Sequence, residues 1–241
     1  MCAEISKMVF ATRYHLSYRF ISNWRYINNM PVISKAITLY LLLAPLLSLC
    51  AETKMCSYST YAWNVNTKSV TNYHRVSHRY SELQAFERDK ITACSVCEED
   101  QRELVLRGVK PFKVCKKMYR KIESALINAM DSGKKIETVV GYRVGLTRGK
   151  VDSMGNRTAF SHHSFGIAID INSAYNGLYD KCLKFTPACR LRKGGRWVKG
   201  YPMSLTPSDI IVKNLKGIGL KWGGEIKGWQ KDFMHFSPDG Y

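Results

Sequence analysis

Acidic residues are scarce in this chain, and so are proline and long apolar runs. Asp and Glu number 19 against 37 Lys and Arg, which gives +18 over 241 residues. Only seven prolines, with 12% aromatic and 45% apolar residues, exclude a disordered composition and point to a globular chain with one core domain plus an elaboration. There is no internal repeat and no low-complexity tract. The apolar run Ala36 to Ala51 falls short of the roughly 20 residues that a spanning helix needs, and Pro45 interrupts it. No recognised nucleic-acid motif accompanies the positive charge, so specific nucleic-acid binding is not expected.

What the N-terminus does contain reads as a leader over residues 1–51. The apolar run is preceded by Lys35 and followed by Glu52-Thr-Lys54, the layout of a signal peptide. Cleavage after Ala51 would leave Leu49 and Ala51 at the two positions a signal peptidase reads. The lead-in of residues 1–29 is long, whereas Met30-Pro-Val-Ile-Ser-Lys35 is an ordinary charged start, so translation is expected to begin at Met30. A lipid anchor on Cys50 is the lesser reading, because Leu49 is larger than the residue such a site prefers. The expected destination is periplasmic or extracellular, with no stable membrane span. The leader holds five Lys and Arg and one acid, so +14 stays on the exported part. Such a field attracts anionic surfaces: teichoic acids, lipid headgroups and acidic peptidoglycan.

Cysteine usage agrees with export. Cys2 and Cys50 fall in the leader, leaving Cys56, Cys94, Cys97, Cys115, Cys182 and Cys189 for three disulfides in an oxidising compartment. Cys182 and Cys189 are close enough to close a small loop, whereas the other four admit three pairings. Cys94-Ser-Val-Cys97 has the spacing of half a zinc knuckle or of a redox pair, but no second Cys-x-x-Cys follows and a structural disulfide is the better reading.

Residues 52–110 read as a cysteine-bearing N-terminal elaboration, with helices expected over Ser77–Ile91 and Glu98–Arg107. Residues 111–241 read as the core. Apolar residues from Phe112 to Met130 recur at three- and four-residue intervals, predicting a helix from Pro111 to about Ser132 that ends at Gly133. Strands are expected over Ile136–Arg143 and Gly166–Ile171, then a helix capped at Thr206 and closing at Gly217, then strands at Leu220–Trp222 and Met234–Phe236. The order predicts an α+β fold, a small and largely antiparallel sheet flanked by helices. His74 and His78 stand four apart but lack a zincin glutamate between them, so they read as surface residues.

The chemistry is concentrated in Ser161-His-His-Ser-Phe-Gly-Ile-Ala-Ile-Asp170 and Asp232-Phe-Met-His235-Phe236. A catalytic zinc takes three protein ligands and keeps a fourth position open. His163, Asp170 and His235 supply a two-histidine, one-aspartate set for one Zn2+, and Asp232 is the evident base.

Ser161-x-His163-x-x-Gly166-x-Ala168-x-Asp170, joined to Trp222-Gly-Gly224 and Asp232-x-x-His235-Phe236, resembles the VanY-type zinc peptidases of the LAS group, over roughly Lys135 to Tyr241. That group includes D-alanyl-D-alanine carboxypeptidases and L-alanyl-D-glutamate endopeptidases. The resemblance implies a LAS-type metallopeptidase core acting on peptidoglycan stem peptides, with His163, Asp170 and His235 as ligands and Asp232 as general base. It selects His163 over His162, which becomes a rim residue. It makes Arg143, in Gly-Tyr-Arg, the group that binds substrate and steadies the oxyanion, and Ser161 a site-shaping residue with a candidate substrate contact. Gly166 and Ala168 permit close backbone packing beside the metal. Trp222 is expected in the pocket wall, whereas Trp229 reads equally as groove or core. Asp-x-x-His resembles the endopeptidase branch more than the Glu-x-Trp-His of carboxypeptidases. In one departure, Val144 to Thr158 holds no glutamine, which many relatives carry there. The alternative is a noncatalytic zinc-fold module that binds cell wall or a partner, for which Asp232 and Arg143 would be superfluous. A third reading, a secreted cationic protein acting through charge alone, would survive chelation.

Overall fold

The computed structural model describes residues 54–241, which form one unit. The leader, the start at Met30, Cys2 and Cys50 lie outside the described residues. A long hairpin of β1 (Met55–Asn64) and β2 (Ser69–Arg79) comes first, then 3-10 turns at Tyr80–Glu82, Ala85–Glu87 and Glu98–Asp100, then a second hairpin of β3 (Gln101–Leu106) and β4 (Val109–Cys115). Helix α1 (Tyr119–Asp131) leads to β5 (Val139–Val140), β6 (Leu146–Val151), β7 (Arg157–Phe160), a 3-10 turn at His162–Phe165 and β8 (Ile169–Ile171). The remainder is β9 (Leu178–Asp180), β10 (Arg190–Lys193), helix α2 (Ile210–Gly217), β11 (Lys221–Trp222), β12 (Gln230–Asp232) and β13 (His235–Ser237).

These strands make four small sheets, ordered β2-β1-β6-β7, β10-β9-β12, β11-β13-β8-β5 and β3-β4. Pairing is antiparallel except where β1 meets β6 at Ala62 and Leu146. The expectation of one sheet flanked by helices is therefore corrected: the fold is mixed small sheets with two α-helices among the described residues.

Two expected helices are absent. Over Ser77–Ile91 the chain finishes β2 and then turns, because its acids bond locally instead of leaving a helical backbone free. The Glu87 carboxylate accepts from Gln84 N at 2.8 Å and from the Tyr58 hydroxyl at 2.5 Å, and Asp89 accepts from Thr92 N at 2.7 Å. Over Glu98–Arg107 the buried residues are Gln101, Leu104 and Leu106, facing Cys115, Phe112 and Val109 across a turn that Gly108 makes at φ +75°. Pairing of these positions across the turn, with one bulge, makes a hairpin in place of a helix. Pro111 lies in β4 where the register shifts, a place in a sheet that tolerates a missing N–H. Helix α1 consequently starts at Tyr119, not Pro111, and buries Tyr119, Ile122, Ala125, Leu126 and Ala129 along one stripe before Gly133 ends it at φ +84°. The strand expected over Ile136–Arg143 shrinks to Val139–Val140. The cap of α2 is Asp209, not Thr206: its carboxylate accepts from Ile211 N at 2.9 Å.

The six cysteines form Cys56–Cys97, Cys94–Cys115 and Cys182–Cys189, so the small-loop pair is as expected. The first two bridges sit in a buried cluster with Tyr58, Val96, Val144, Phe165 and Ile167. Phe165 ends the His162–Phe165 turn and Ile167 follows it, so this cluster braces the turn. A larger core packs α1 and α2 against β3, β4 and the β11-β13-β8-β5 sheet. No helix among the described residues is long and apolar enough to cross a membrane.

Gly166 joins the two regions. Its φ is +65°, its carbonyl accepts from Cys115 N at 2.8 Å, and a Cβ there would collide with Gln101 Oε1 and with Cys115 N. Gly166→Ala should lower the unfolding free energy by about 2 to 4 kcal/mol, from left-handed strain plus overpacking. Urea melts at constant slope check this, and a loss under about 0.5 kcal/mol would contradict it.

Candidate metal centre

The centre begins with strand register. β13 pairs antiparallel with β8, so that His235 stands directly opposite Asp170, and β5 lies on the other side of β8 with Val140 opposite Asp170. Asp170 is thus held in the middle of a three-strand ladder. His163 arrives from a different element, the 3-10 turn that Gly166 closes. All three residues are buried.

The donor atoms converge. Asp170 Oδ1 lies 3.1 Å from His163 Nε2 and 2.8 Å from His235 Nδ1, and the three atoms fall within 4.8 Å of one another. The remaining imidazole nitrogens face backbone carbonyls, His163 Nδ1 at 2.8 Å from Gly141 O and His235 Nε2 at 3.0 Å from Tyr241 O. A carbonyl can only accept, so those nitrogens carry a proton, and the nitrogens facing Asp170 are the ones that would turn a lone pair to a metal when the ring is neutral. Histidine ligands are oriented in this way around metals. A buried donor set of two nitrogens and one carboxylate oxygen, with both rings oriented by backbone oxygens, fits zinc.

Electrostatics separates the two histidines. Burial pushes the His163 imidazole below its ordinary value against the pull of Asp170, leaving it neutral. Burial also opposes charge on His235, yet the hydrogen bond and charge of Asp170, helped by Asp232, raise it. Asp170 stays ionised: burial alone would raise its carboxyl, but His163 and His235 together hold it well below the usual range.

Asp232 ends β12 three residues before His235. Its Oδ1 is buried without a hydrogen-bond partner among the described residues. Burial, reinforced by the Asp170 charge, pushes its carboxyl up to about 6, while His235, Lys193 and Arg143 pull the other way. Gly223 allows this position, since a Cβ there would meet the Asp232 backbone oxygen. Arg143, between β5 and β6, donates from its guanidinium to Asp170 Oδ2 at 3.2 Å, and its backbone N–H donates to His163 O at 3.2 Å.

The other expected residues are placed differently. Ser161 is buried with its Oγ 3.4 Å from Ser164 Oγ, beside the turn and not among the donor atoms. Trp222 is 2% exposed and donates its indole N–H to Phe233 O at 2.8 Å, so the expectation of a pocket wall is corrected: it is core beneath the strand that carries His235. Trp229 is 69% exposed and borders a groove with Asp180, Lys181, Gln230 and Tyr241. His162 points away from Asp170 to Arg148 Nη1, 3.1 Å away, and burial lowers its titration. His74 is exposed, whereas His78 rests 3.0 Å from the buried Glu87 carboxylate.

Sequence reasoning missed the supports: Gly141 and Tyr241 act through backbone carbonyls, which no side-chain pattern announces. Arg148 holds the second of these. Its Nη1 donates to Tyr241 O at 2.7 Å, and Ser237 Oγ donates to the same oxygen at 3.1 Å.

Residues 154–238 match the model of a family described as D-alanyl-D-alanine carboxypeptidase, a span that includes His163, Asp170, Asp232 and His235 but not Arg143. No curated protein and no solved structure matches the chain.

The raised Asp232 carboxyl has a stability consequence. Between its ordinary value of 3.8 and about 6 the folded protein binds the proton that the unfolded chain has released, so stability falls as pH rises through that window. In chelator-treated protein, Asp232→Asn should therefore be more stable than the parent by about 1 to 3 kcal/mol at pH 7 and nearly equal to it at pH 4. Denaturant melts at the two pH values measure this, and a variant no more stable at pH 7 would show that the carboxylate is not strained.

Proposed function

We propose that the protein is an exported zinc peptidase that hydrolyses peptide bonds in peptidoglycan stem peptides. The single observation that carries the reading is the buried convergence of His163, Asp170 and His235 beside an Asp232 oxygen that has no partner. Similarity over residues 154–238 to D-alanyl-D-alanine carboxypeptidases supports a peptidase. Three disulfides and the absence of a spanning helix among the described residues are consistent with export.

His163 Nε2, Asp170 Oδ1 and His235 Nδ1 would hold the ion. When bound, it supplies Lewis acidity, which polarises a carbonyl and acidifies water near neutral pH. Asp232 Oδ1 takes the proton from the attacking water and delivers it to the departing amine, a role suited to a carboxyl raised toward neutrality. Arg143 turns its guanidinium to the scissile carbonyl oxygen as negative charge grows there. Its ion pair with Asp170 fixes the starting position of that group. The short base in Asp232-x-x-His235 favours cleavage between L-Ala and D-Glu over removal of a terminal D-Ala.

Purified sacculi provide the test. The zinc-loaded protein should release muropeptides, chelation should stop release, and zinc should restore it. His163→Ala or Asp232→Asn should each reduce release at least a hundredfold, in the range that loss of a general base costs. Undiminished release by either variant refutes the assignment, and bound zinc without turnover would favour a binding module. Mass analysis of the products identifies the bond.

A further inference from the structure

The β10-β9-β12 sheet carries Asp232 on one edge strand, and its other edge strand bears a cation that nothing in the proposed chemistry uses. Leu178 of β9 pairs with Asp232 on one side and with Lys193 on the other. Directly opposed residues of antiparallel strands share a face, so Leu178 and Asp232 stand in one row, and Lys193 meets Leu178 from the other side just after a bulge in β10 that follows Leu191. With strands about 4.8 Å apart, Lys193 lies roughly 10 Å from Asp232 at the Cα level, a span of about three residues of extended substrate. The next row on that face is Arg190, Asp180 and Gln230. Asp180 and Gln230 also line the groove bordered by Trp229 and Tyr241, so the groove and Asp232 share one face.

The charges in these rows are not equivalent. Arg190 and Arg192 both pair with Asp180, at 2.7 and 3.3 Å, whereas Lys193 takes part in no ion pair among the described residues. Between Lys181 and Lys199 there are seven Lys and Arg and no Asp or Glu. Lys193 is nonetheless firmly placed. The Cys182–Cys189 bridge closes the connection between β9 and β10, and Gly195 N donates to Ser173 O at 2.8 Å. A Cβ on Gly177 would meet the Lys193 carbonyl oxygen at 2.9 Å, so the strand is packed backbone to backbone against the loop before β9. An exposed amine on an immobilised backbone, facing the same side as the base, is arranged to meet an anion on a bound peptide.

We propose that the open face of this sheet is the bed for the substrate peptide beyond the scissile bond, and that Lys193 binds a carboxylate of that peptide. The proposal rests on the peptidase reading for its choice of ligand, since stem peptides carry free carboxylates along their length. Lys193 is a specificity residue, and it would favour stems with a free glutamyl α-carboxylate over stems in which that group is a carboxamide.

The probes are a pentapeptide of stem composition with the free glutamyl α-carboxylate and the same peptide as its carboxamide. Both are titrated calorimetrically into the zinc-loaded full chain carrying Asp232→Asn, which removes the base. The carboxylate form should bind about fivefold tighter, the worth of one charge-assisted contact at a half-open site, and the preference should shrink with added salt. Adding Lys193→Ala should bring the ratio to about one, Lys193→Arg should keep it, and Lys184→Ala on the neighbouring disulfide loop should leave it unchanged. Equal binding of the two peptides with Lys193 present, a ratio that survives Lys193→Ala, or binding of neither peptide would each overturn the proposal. Cleavage of the same two peptides by the unsubstituted protein is read separately. Failure to cut either while the binding ratio holds would sink the peptidase reading and leave the anion site standing.

Discussion

The pairing of β13 with β8 is the constraint on which the rest depends. His235 and Asp170 are 65 residues apart and meet only because two three-residue strands lie side by side in one register. Sheet side chains alternate between faces, so a slip of one position would turn His235 away from Asp170 and leave the buried carboxylate with only His163 and Arg143. Such short strands cannot hold a register by themselves. Trp222 and Phe236 lock it from the β11 side, and the Trp222 indole ties down the Phe233 carbonyl just before His235. The tryptophan does its work from underneath, as a spacer for the strand.

Much of the centre was legible in the sequence. His163, Gly166 and Asp170 lie within one turn and one strand, where spacing translates almost directly into position, and Asp232 and His235 do the same. The small disulfide loop was legible for the same reason. What was hidden depends on distant partners. The pairing of Cys56 with Cys97 and of Cys94 with Cys115 follows from β1 lying against the 80–100 turns. The hairpin of β3 and β4 is hidden because Glu, Leu and Arg favour helices, whereas Gly108 and the pairing of Leu104 with Phe112 and of Leu106 with Val109 favour a turn and a partner strand. Trp222 was placed in the wall on the strength of its neighbouring glycines. Those glycines instead let Asp232 and the indole ring approach closely.

The N-terminal region is tied to the centre through the backbone. Cys115 donates to Gly166 O, and the Lys113 carbonyl accepts from Tyr142 N at 2.7 Å, on the segment that presents Gly141 to His163 and carries Arg143. Two disulfides fix this hairpin and its turns before any ion arrives, which reduces the disorder that ligand binding would otherwise have to remove.

Among the described residues β10 is an edge strand, and that edge bears on the behaviour of the molecule in company. An uncovered strand presents unpaired N–H and C=O groups, a template on which a second copy could add its own strand. Arg190, Arg192 and Lys193 stand on that edge, all exposed and all of one sign. Two copies meeting there would bring six cations together with only two Asp180 carboxylates between them. Like charge on both strands opposes that addition and works against growth of the sheet into a fibre.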